Sequence, residues 1–288
     1  MMKIVRTVKD LRGTVGNWRR AGQTVALVPT MGSLHDAHLA LVDAGIERAN
    51  RTIVSIFVNR KQFTPNEDFK TYPRGEERDL QLLEARGVDL AFLPSEPEMY
   101  PPGFAVNIDV ADFSDKLCAI GRPGHFSGVA TVCTKLLMQC APNVAVFGEK
   151  DYQQLQLIRQ LVKDLNINVS ICGVPTIREK DGLAMSSRNA YLNPDERVLA
   201  GNINVILSNS AEQLSAGKSP EKELRDAHLK FTGLVGRAPE YLELCDAENL
   251  RIVEEVVRPA RLLTAVTIGK TRLIDNWPVT PVPQQPTA

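Results

Sequence analysis

The sequence has no surplus of either charge: 34 Lys and Arg residues balance 34 Asp and Glu. That balance excludes broad electrostatic affinity for nucleic acid or an anionic membrane, although a local basic patch can exist within it. No stretch approaches the roughly 20 apolar residues that span a bilayer. Met1 to Gly13 is charged throughout and lacks the apolar run of a signal peptide. The five cysteines (Cys118, Cys133, Cys140, Cys172, Cys245) form no C-x-x-C pair, and their number is odd. Their apolar surroundings favour buried free thiols in a reducing cytoplasm over a disulfide frame or a zinc site. Neither a G-x-x-x-x-G-K-S/T phosphate loop nor a complete G-x-G-x-x-G fingerprint is present, so any nucleotide site belongs to another class. What remains is a chain of 288 residues, 43% apolar and 24% charged. These are ordinary values for a globular protein, at a length that suggests about two domains and a substantial core.

Up to Pro175, short apolar runs alternate with amphipathic stretches, the pattern of a parallel sheet with crossover helices. Thr24–Val28, Thr52–Val58, Asp89–Leu93, Val106–Val110, Asn143–Phe147 and Asn168–Val174 read as strands. Ala37–Asn50, Gly75–Arg86, Gly128–Cys140 and Gln153–Leu165 read as helices. In the last of these, Leu155, Ile158, Leu161, Val162 and Leu165 form a stripe that packs on a sheet. Beyond Pro175, Thr176 to Asn193 is polar and interrupted, and Pro194 and Pro220 then open helices reaching Ser215 and Val235. Tyr241–Leu244, Leu262–Ile268 and Thr271–Asp275 read as strands, the last two joined by a two-residue turn at Gly269-Lys270. The expected fold class is α/β: a Rossmann-like doubly wound parallel sheet over 1–175 and a smaller α+β domain over 176–276. Residues 277–288, with Pro278, Pro281, Pro283 and Pro286, read as a disordered tail.

In such sheets ligands bind beyond the carboxyl ends of the strands. After the first strand stands Pro29-Thr30-Met31-Gly32-Ser33-Leu34-His35-Asp36-Ala37-His38. His35 and His38, three apart at a helix start, face one side near the positive end of its dipole. Their N–H groups, beside free backbone N–H groups, would cradle phosphates. Two surface histidines, or half a metal site, are the alternatives; a third ligand is not evident, His125 and His228 being the other histidines. After the second strand, Asn59 and Gln62 are neutral groups suited to orienting hydroxyls or a carboxylate, with Phe57 and Phe63 as walls. A plain strand end is the alternative there. Gly148-Glu149-Lys150-Asp151-Tyr152-Gln153-Gln154 opens a helix after the fifth run. Lys150 suits a phosphate and a neighbouring carboxylate suits ribose hydroxyls, against ordinary capping by Asp151. Met185-Ser186-Ser187-Arg188-Asn189 sets two hydroxyls and a guanidinium on a polar segment able to close on a triphosphate, against a solvated linker. Arg122-Pro123-Gly124-His125-Phe126 adds another anion-capable pair.

These motifs, in this order, resemble the pantoate–β-alanine ligase family of the nucleotidyltransferases named for a His-x-Gly-His signature. Tyr72-Pro73-Arg74, Asp181-Gly182-Leu183-Ala184 before Met185, and Arg272-Leu273-Ile274-Asp275-Asn276 belong to the same resemblance, which runs from Val25 to Asn276. It implies a ligase that joins (R)-pantoate to β-alanine at the expense of ATP, through a pantoyl adenylate, releasing AMP and pyrophosphate. It implies His38 as proton donor, with His35, Lys150 and Arg188 supporting charge on the phosphates. Met31, Gly32, Ser33, Leu34, His35, Asp36, Ala37 and His38 would form the first ATP-binding stretch. Gly148, Glu149, Lys150, Asp151, Ile177, Met185, Ser186, Ser187 and Arg188 would complete it. Thr30, Met31, Asn59, Gln62, Gln154, Arg122 and His125 fall to the other substrates. Mg²⁺ arrives with ATP, with no carboxylate cage of the protein's own. The resemblance also implies a cytoplasmic homodimer, paired through its N-terminal domain, with no nucleic-acid or membrane partner.

Two positions depart from the family. Ala37 stands where the family has Gly, and its Cβ is expected to crowd the adenosine. Arg60 stands where the family has Pro, setting a long cation beside Gln62 that is expected to loosen or recharge the acceptor pocket. A catalytically weakened nucleotide-binding homologue, or another nucleotidyltransferase of the superfamily, is the competing expectation. The neutral Asn59 and Gln62 speak against a phosphorylated acceptor.

Overall fold

Val25-Ala26-Leu27-Val28 offers apolar side chains to both faces of a strand, which suits only the covered middle of a parallel sheet. The computed structural model describes residues 1–65 and 67–281 and buries all four of these completely. They lie inside a six-stranded sheet in which every strand pair is parallel. In chain order the elements are β1 (Lys3–Val5), α1 (Val8–Arg20), β2 (Val25–Thr30), α2 (Asp36–Ile46), β3 (Arg51–Ile56) and α3 (Glu76–Ala85). There follow β4 (Leu90–Phe92), α4 (Glu96–Met99), α5 (His125–Cys140), β5 (Val144–Gly148), α6 (Tyr152–Asp164) and β6 (Ser170–Val174). The strand order β1-β4-β3-β2-β5-β6 makes this a doubly wound α/β sheet. From β2 the chain winds outward through β3 and β4, then returns to β5 on the other side.

Three local readings change. β1 and α1 are additional: β1 has only three residues, and α1 buries only Leu11, Thr14 and Val15 among its charges. Its start is nonetheless marked, because the Thr7 hydroxyl accepts from the Asp10 N–H at 3.1 Å. Val106–Val110 alternates as a strand does but joins no ladder. The Ile108 N–H is met instead by the Thr131 hydroxyl at 3.0 Å, and Val106 faces solvent. Along α6, Leu155, Ile158 and Leu161 are buried, whereas Leu165 just past its end is exposed.

Contacts divide the chain into two units, Met1–Glu149 with Gln153–Thr176, and Lys150–Tyr152 with Ile177 onward. The second unit contains α7 (Pro194–Ser215), α8 (Pro220–Val235) and an antiparallel sheet of β7 (Tyr241–Asp246), β8 (Ala260–Ile268) and β9 (Thr271–Val279). Asn193, just before Pro194, forms a capping box with Glu196 in the first turn of α7. Leu207, Phe231, Leu244 and Leu262 are fully buried in this unit's core. β9 corrects the expectation of a disordered tail from residue 277, for Trp277, Pro278 and Val279 pair with Leu262, Arg261 and Ala260. Pro278 is tolerated because β9 is an edge strand, where a missing N–H breaks no ladder. The part of that tail over 282–288 lies outside the described residues.

Among the described residues no helix is long and apolar enough to cross a membrane. All five cysteines are free thiols. Burial pushes Cys133 and Cys140 up to about 12, so both stay protonated at neutral pH.

Candidate active site

The main chain of β2 decides where the first unit opens. The carbonyls of Thr24 and Thr30 accept from the N–H groups of Arg51 and Phe57 on the β3 side, both at 3.0 Å. The carbonyl of Val25 accepts from Asn143, at the start of β5, at 2.8 Å. Even-numbered residues of β2 therefore present their main-chain groups to β3, and odd-numbered ones to β5. Pairing with β3 runs the full length from Val25↔Arg51 to Thr30↔Ile56, yet pairing with β5 stops at Leu27↔Ala145. Pro29 is the next residue on the β5 side, and it has no N–H to continue the ladder. The sheet thus parts between the carboxyl ends of β2 and β5, where its winding reverses and where doubly wound sheets bind ligands.

The segment leaving β2 is held in a tight turn. Gly32 (φ +81°) and Ser33 (φ +53°) are both left-handed. A Cβ on Gly32 would meet an Asp79 carboxylate oxygen at 3.0 Å and Ile56 Cγ2 at 3.1 Å. Asp79, 1% exposed, accepts from the Ser33 N–H on Oδ2 and from the Leu34 N–H on Oδ1, both at 2.8 Å. The Thr30 hydroxyl donates to the Ser55 carbonyl at 2.8 Å and accepts from the Gly32 N–H at 3.3 Å. Asp79 thus holds the main chain of Ser33 and Leu34, just ahead of the start of α2. His35 is the N-cap of α2 and His38 its third residue, with ring centroids 4.1 Å apart. The His35 N–H points at His38 Nδ1 at 3.4 Å. A ring whose Nδ1 accepts carries its neutral-form proton on Nε2, away from the backbone.

Beyond β3, a 3₁₀ turn over Arg60–Gln62 presents Gln62 through a relay of amides. Asn59 Nδ2 donates to the Gly128 carbonyl (3.1 Å) and to Gln62 Oε1 (3.0 Å), while Asn59 Oδ1 accepts from the Tyr100 hydroxyl (2.9 Å). The Gly128 carbonyl can only accept, so the Asn59 amide has one orientation. That in turn aims Gln62 Nε2 at Met31 Sδ, 3.2 Å away. Burial pushes the Tyr100 hydroxyl well above its usual range, with Cys133 and Glu96 adding to the shift, so it remains a donor. The turn's backbone is held as well. His125 Nδ1 lies 2.8 Å from the Gln62 carbonyl, which requires a proton on Nδ1 and leaves Nε2 to accept from Arg122 at 2.9 Å. Arg122 also pairs with Glu67. Partial burial pushes the Glu67 carboxyl up, but hydrogen bonding and charge from Arg122, with the Thr64 N–H, hold it below the usual carboxylate range. The pair thus persists at neutral pH and is lost only as acid takes the pH through that lowered value. Arg122 and His125, expected at the substrates, are here bonded to the main chain beneath Gln62. The Arg60 guanidinium lies over the Phe69 ring at 5.9 Å on an exposed side chain, so the expected recharging of the pocket finds no support.

Gln154 is half-buried on α6, and Gly148 ends β5 beside Val174. The preceding glutamine, Gln153, is committed to the loop at 113–118, accepting from the Cys118 N–H (3.1 Å) and donating to the Lys116 carbonyl (3.0 Å). In the second unit, Lys150 Nζ lies 3.8 Å from the Asp151 carboxylate. Ile177 to Asn189 is a tied strap rather than a solvated linker. Met185 N–H bonds to the Ile177 carbonyl (3.0 Å), and Asn189 Nδ2 donates to Glu179 (2.7 Å) and to the Ala184 carbonyl (3.1 Å). The Ser186 hydroxyl caps the 3₁₀ turn Ser187–Tyr191 by accepting from the Arg188 N–H at 3.3 Å. The fold therefore gathers Met31, His35, His38, Asn59 and Gln62 in the first unit, and Lys150, Ile177 and Met185–Arg188 in the second. Asp79, Tyr100 and Gly128 are additions that no motif announced; Asp79 reads in sequence as one more acidic residue in a helix's first turn.

An open parallel sheet that parts beside a histidine-led helix makes the first unit a doubly wound α/β fold with a ligand crevice at the carboxyl edge of its sheet. The family model described as pantoate-beta-alanine ligase matches residues 3–278. Pantothenate synthetase of Paramagnetospirillum magneticum is 52% identical over 281 residues, which cover 96% of this chain and 98% of that one. The Geobacter sulfurreducens protein of that name is 49% identical over 276 residues, 96% and 98% of the two chains. Among solved structures, pantothenate synthetase from Thermus thermophilus superposes with a TM-score of 0.92 at 42% identity, over 97% of this chain and 100% of that one. The Francisella tularensis pantoate-beta-alanine ligase, complexed with β-γ ATP and β-alanine, gives 0.81 at 36% identity over 96% and 97%. The chain belongs to the pantoate–β-alanine ligase family.

Proposed function

We propose that this chain condenses (R)-pantoate with β-alanine in two steps. A pantoate carboxylate oxygen attacks the α-phosphorus of ATP, and the bond from that phosphorus to the bridging oxygen of pyrophosphate breaks. The β-alanine amine then attacks the acyl carbon of pantoyl adenylate, AMP leaves, and the nitrogen's surplus proton passes to solvent. Mg²⁺ enters on the triphosphate, as part of the substrate. The observation that carries this reading is the Asn59–Gln62 relay beside Met31: it presents an uncharged, oriented amide, which suits a hydroxy-carboxylate and not a phosphorylated acceptor. Gln62, with Thr30, Met31, Asn59 and Gln154, holds pantoate, while Arg122 and His125 keep the Gln62 backbone in place. His38 Nε2–H and His35 face the phosphates. By the family resemblance Gly148 to Asp151, Ile177 and Met185 to Arg188 serve the nucleotide, with Lys150 and Arg188 acting on phosphate oxygens. Positioning and charge stabilisation carry most of the acceleration. Five free cysteines support a reducing, cytoplasmic setting. A homodimer through the first unit rests on the family resemblance, and light scattering of the purified chain tests it.

The test of the reaction is pyrophosphate release from ATP with (R)-pantoate, with and without β-alanine, following AMP in parallel. Release that requires pantoate, with AMP turnover rising on addition of β-alanine, is the expected result. ATP binding without pantoate-dependent release overturns the reading.

Two substitutions refine it. Tyr100→Phe removes the donor that completes the Asn59 amide and keeps the ring. With one net hydrogen bond worth about 1 kcal/mol, the KM for pantoate should rise about fivefold and that for ATP stay unchanged. An unchanged pantoate KM would show that the relay does not orient Gln62. Ala37→Gly, at the second residue of α2, should tighten ATP binding while lowering stability by about 0.5–1 kcal/mol, the helix cost of glycine. Calorimetric titration with ATP and a thermal melt read the two effects separately.

A further inference from the structure

β9 carries Arg272-Leu273-Ile274-Asp275-Asn276, a motif that no step above uses. Asp275 and Asn276 are 4% and 2% exposed, an unusual burial for two polar neighbours on an edge strand. Adjacent strand residues point to opposite faces, so the pair can reach two different segments from one place on the chain. Asp275 meets Arg178 fork to fork, with Nη1 at 2.7 Å from Oδ2 and Nη2 at 2.9 Å from Oδ1. Arg178 also donates to the carbonyls of Gly182 (3.0 Å) and Asn276 (3.3 Å), and its guanidinium lies 4.5 Å from the Trp277 ring. Arg178 is the base of the strap: it bridges to Ala184, and Glu179 N–H bonds to the Leu183 carbonyl at 2.8 Å. Directly beyond that small hairpin come Met185 to Arg188.

Asn276 reaches the other segment. Its Oδ1 accepts from Arg261 Nε at 2.6 Å; because Nε can only donate, Nδ2 must face the Lys150 carbonyl, 2.9 Å away. The Arg261 guanidinium covers the Tyr152 ring at 4.2 Å, and the Tyr152 hydroxyl donates to the Ala247 carbonyl at 2.9 Å. In this way Lys150–Tyr152, which follows β5 in sequence, is bound into the second unit.

We infer that Asp275 and Asn276 are positioning residues for the nucleotide: one fixes the strap that carries Arg188, the other fixes the main chain of Lys150. The inference rests on the proposed role of those two cations at the triphosphate. A buried ion pair is a poor device for stability alone, since apolar residues of the same volume serve as well or better. A bidentate pair and a doubly bonded amide do fix direction. Direction matters here because a lysine ammonium rides on a flexible four-carbon stem, so where it reaches depends on where its backbone is held.

The decisive experiment is two double-mutant cycles in the full-length enzyme, one pairing Asn276→Asp with Lys150→Ala and the other Asp275→Asn with Arg188→Ala. Asn276→Asp keeps the acceptor for Arg261 and removes the donor to Lys150; Asn276→Leu is the alternative should it fail to fold. Each single substitution on β9 should weaken binding of a non-hydrolysable ATP analogue with Mg²⁺ about tenfold, leaving the pantoate KM within about twofold. Once the matching cation is already gone, the same substitution should cost less than about twofold further. Equal losses in both backgrounds, tracking only a lower melting temperature, would mark a purely structural role and overturn the inference. If the wild-type chain binds the analogue but shows no pantoate-dependent pyrophosphate release, the proposed reaction fails while the binding cycles still decide this point. A wild-type chain that binds no nucleotide overturns both.

Discussion

Gly128→Ala should cripple pantoate binding while leaving the nucleotide contacts of the second unit in place. Gly128 lies in the first turn of α5, where the helix backbone runs directly against the 3₁₀ turn that carries Gln62. A Cβ there would lie 2.3 Å from the Lys61 carbonyl oxygen and 2.7 Å from the Gln62 nitrogen, and both are main-chain atoms that cannot rotate away. The same glycine supplies the carbonyl that orients Asn59. Relieving the overlap requires Arg60–Gln62 to shift by about 1 Å, a displacement that typically costs about a hundredfold in a positioned site. Overpacking should also lower stability by about 1–3 kcal/mol. The measurements are the pantoate KM, the affinity for ATP and the unfolding midpoint in urea. Gly13→Ala is the matched control, since nothing lies within 4 Å of its would-be Cβ on α1 and alanine there should stabilise by about 0.5–1 kcal/mol. A Gly128→Ala enzyme with wild-type pantoate KM would refute the close approach as the device that seats Gln62.

Gly128 also shows where sequence reading stops. Its position inside a helical stretch is legible, but the structure starts α5 at His125, three residues earlier than the periodicity suggests, after a left-handed Gly124. Periodicity registers apolar faces, and His125 and Ser127 carry no apolar signal. The candidate site residues are legible because each sits in a short run beside a strand end: His35 and His38 at the start of α2, Asn59 and Gln62 after β3, Lys150 after β5. Their supports are not, because each acts across a long separation in the chain. Asp79 grips Ser33 and Leu34 from 46 and 45 residues away, Tyr100 reaches Asn59 from 41, and Gly128 reaches Asn59 from 69. Such pairings depend on which strands become neighbours, which local pattern does not encode. The alternating Val106–Val110 illustrates the converse: a strand-like rhythm with no neighbouring edge to join yields no strand. β9 reads short in the sequence for a different reason: the prolines from Pro278 onward count as punctuation, although Pro278 itself needs only an edge position.

The other large effect concerns His38. His38→Ala should lower kcat for pantoate-dependent pyrophosphate release by about 10²–10⁴, the usual range for losing a positioned proton donor. His35 fills the N-cap position and turns its N–H toward His38 Nδ1, so the backbone at the helix start favours the tautomer with its proton on Nε2. The helix dipole adds positive potential at the same place, which in the proposed reaction favours the charge developing on the departing pyrophosphate. Alanine keeps the helix, because it is the best helix former, and removes only the ring. The fold should therefore survive and ATP binding weaken much less than kcat falls. His35→Ala should cost less, since it removes a ring and keeps the backbone N–H that orients His38. The two steps can be separated by supplying pantoyl adenylate directly. If His38 serves adenylate formation, the variant should still convert that intermediate and β-alanine to pantothenate at a rate within about tenfold of wild type, for aminolysis expels AMP and leaves no pyrophosphate to protonate. A His38→Ala enzyme equally impaired in both steps would place the histidine at the acyl carbon instead, and the first unit would then need a different donor for the phosphates.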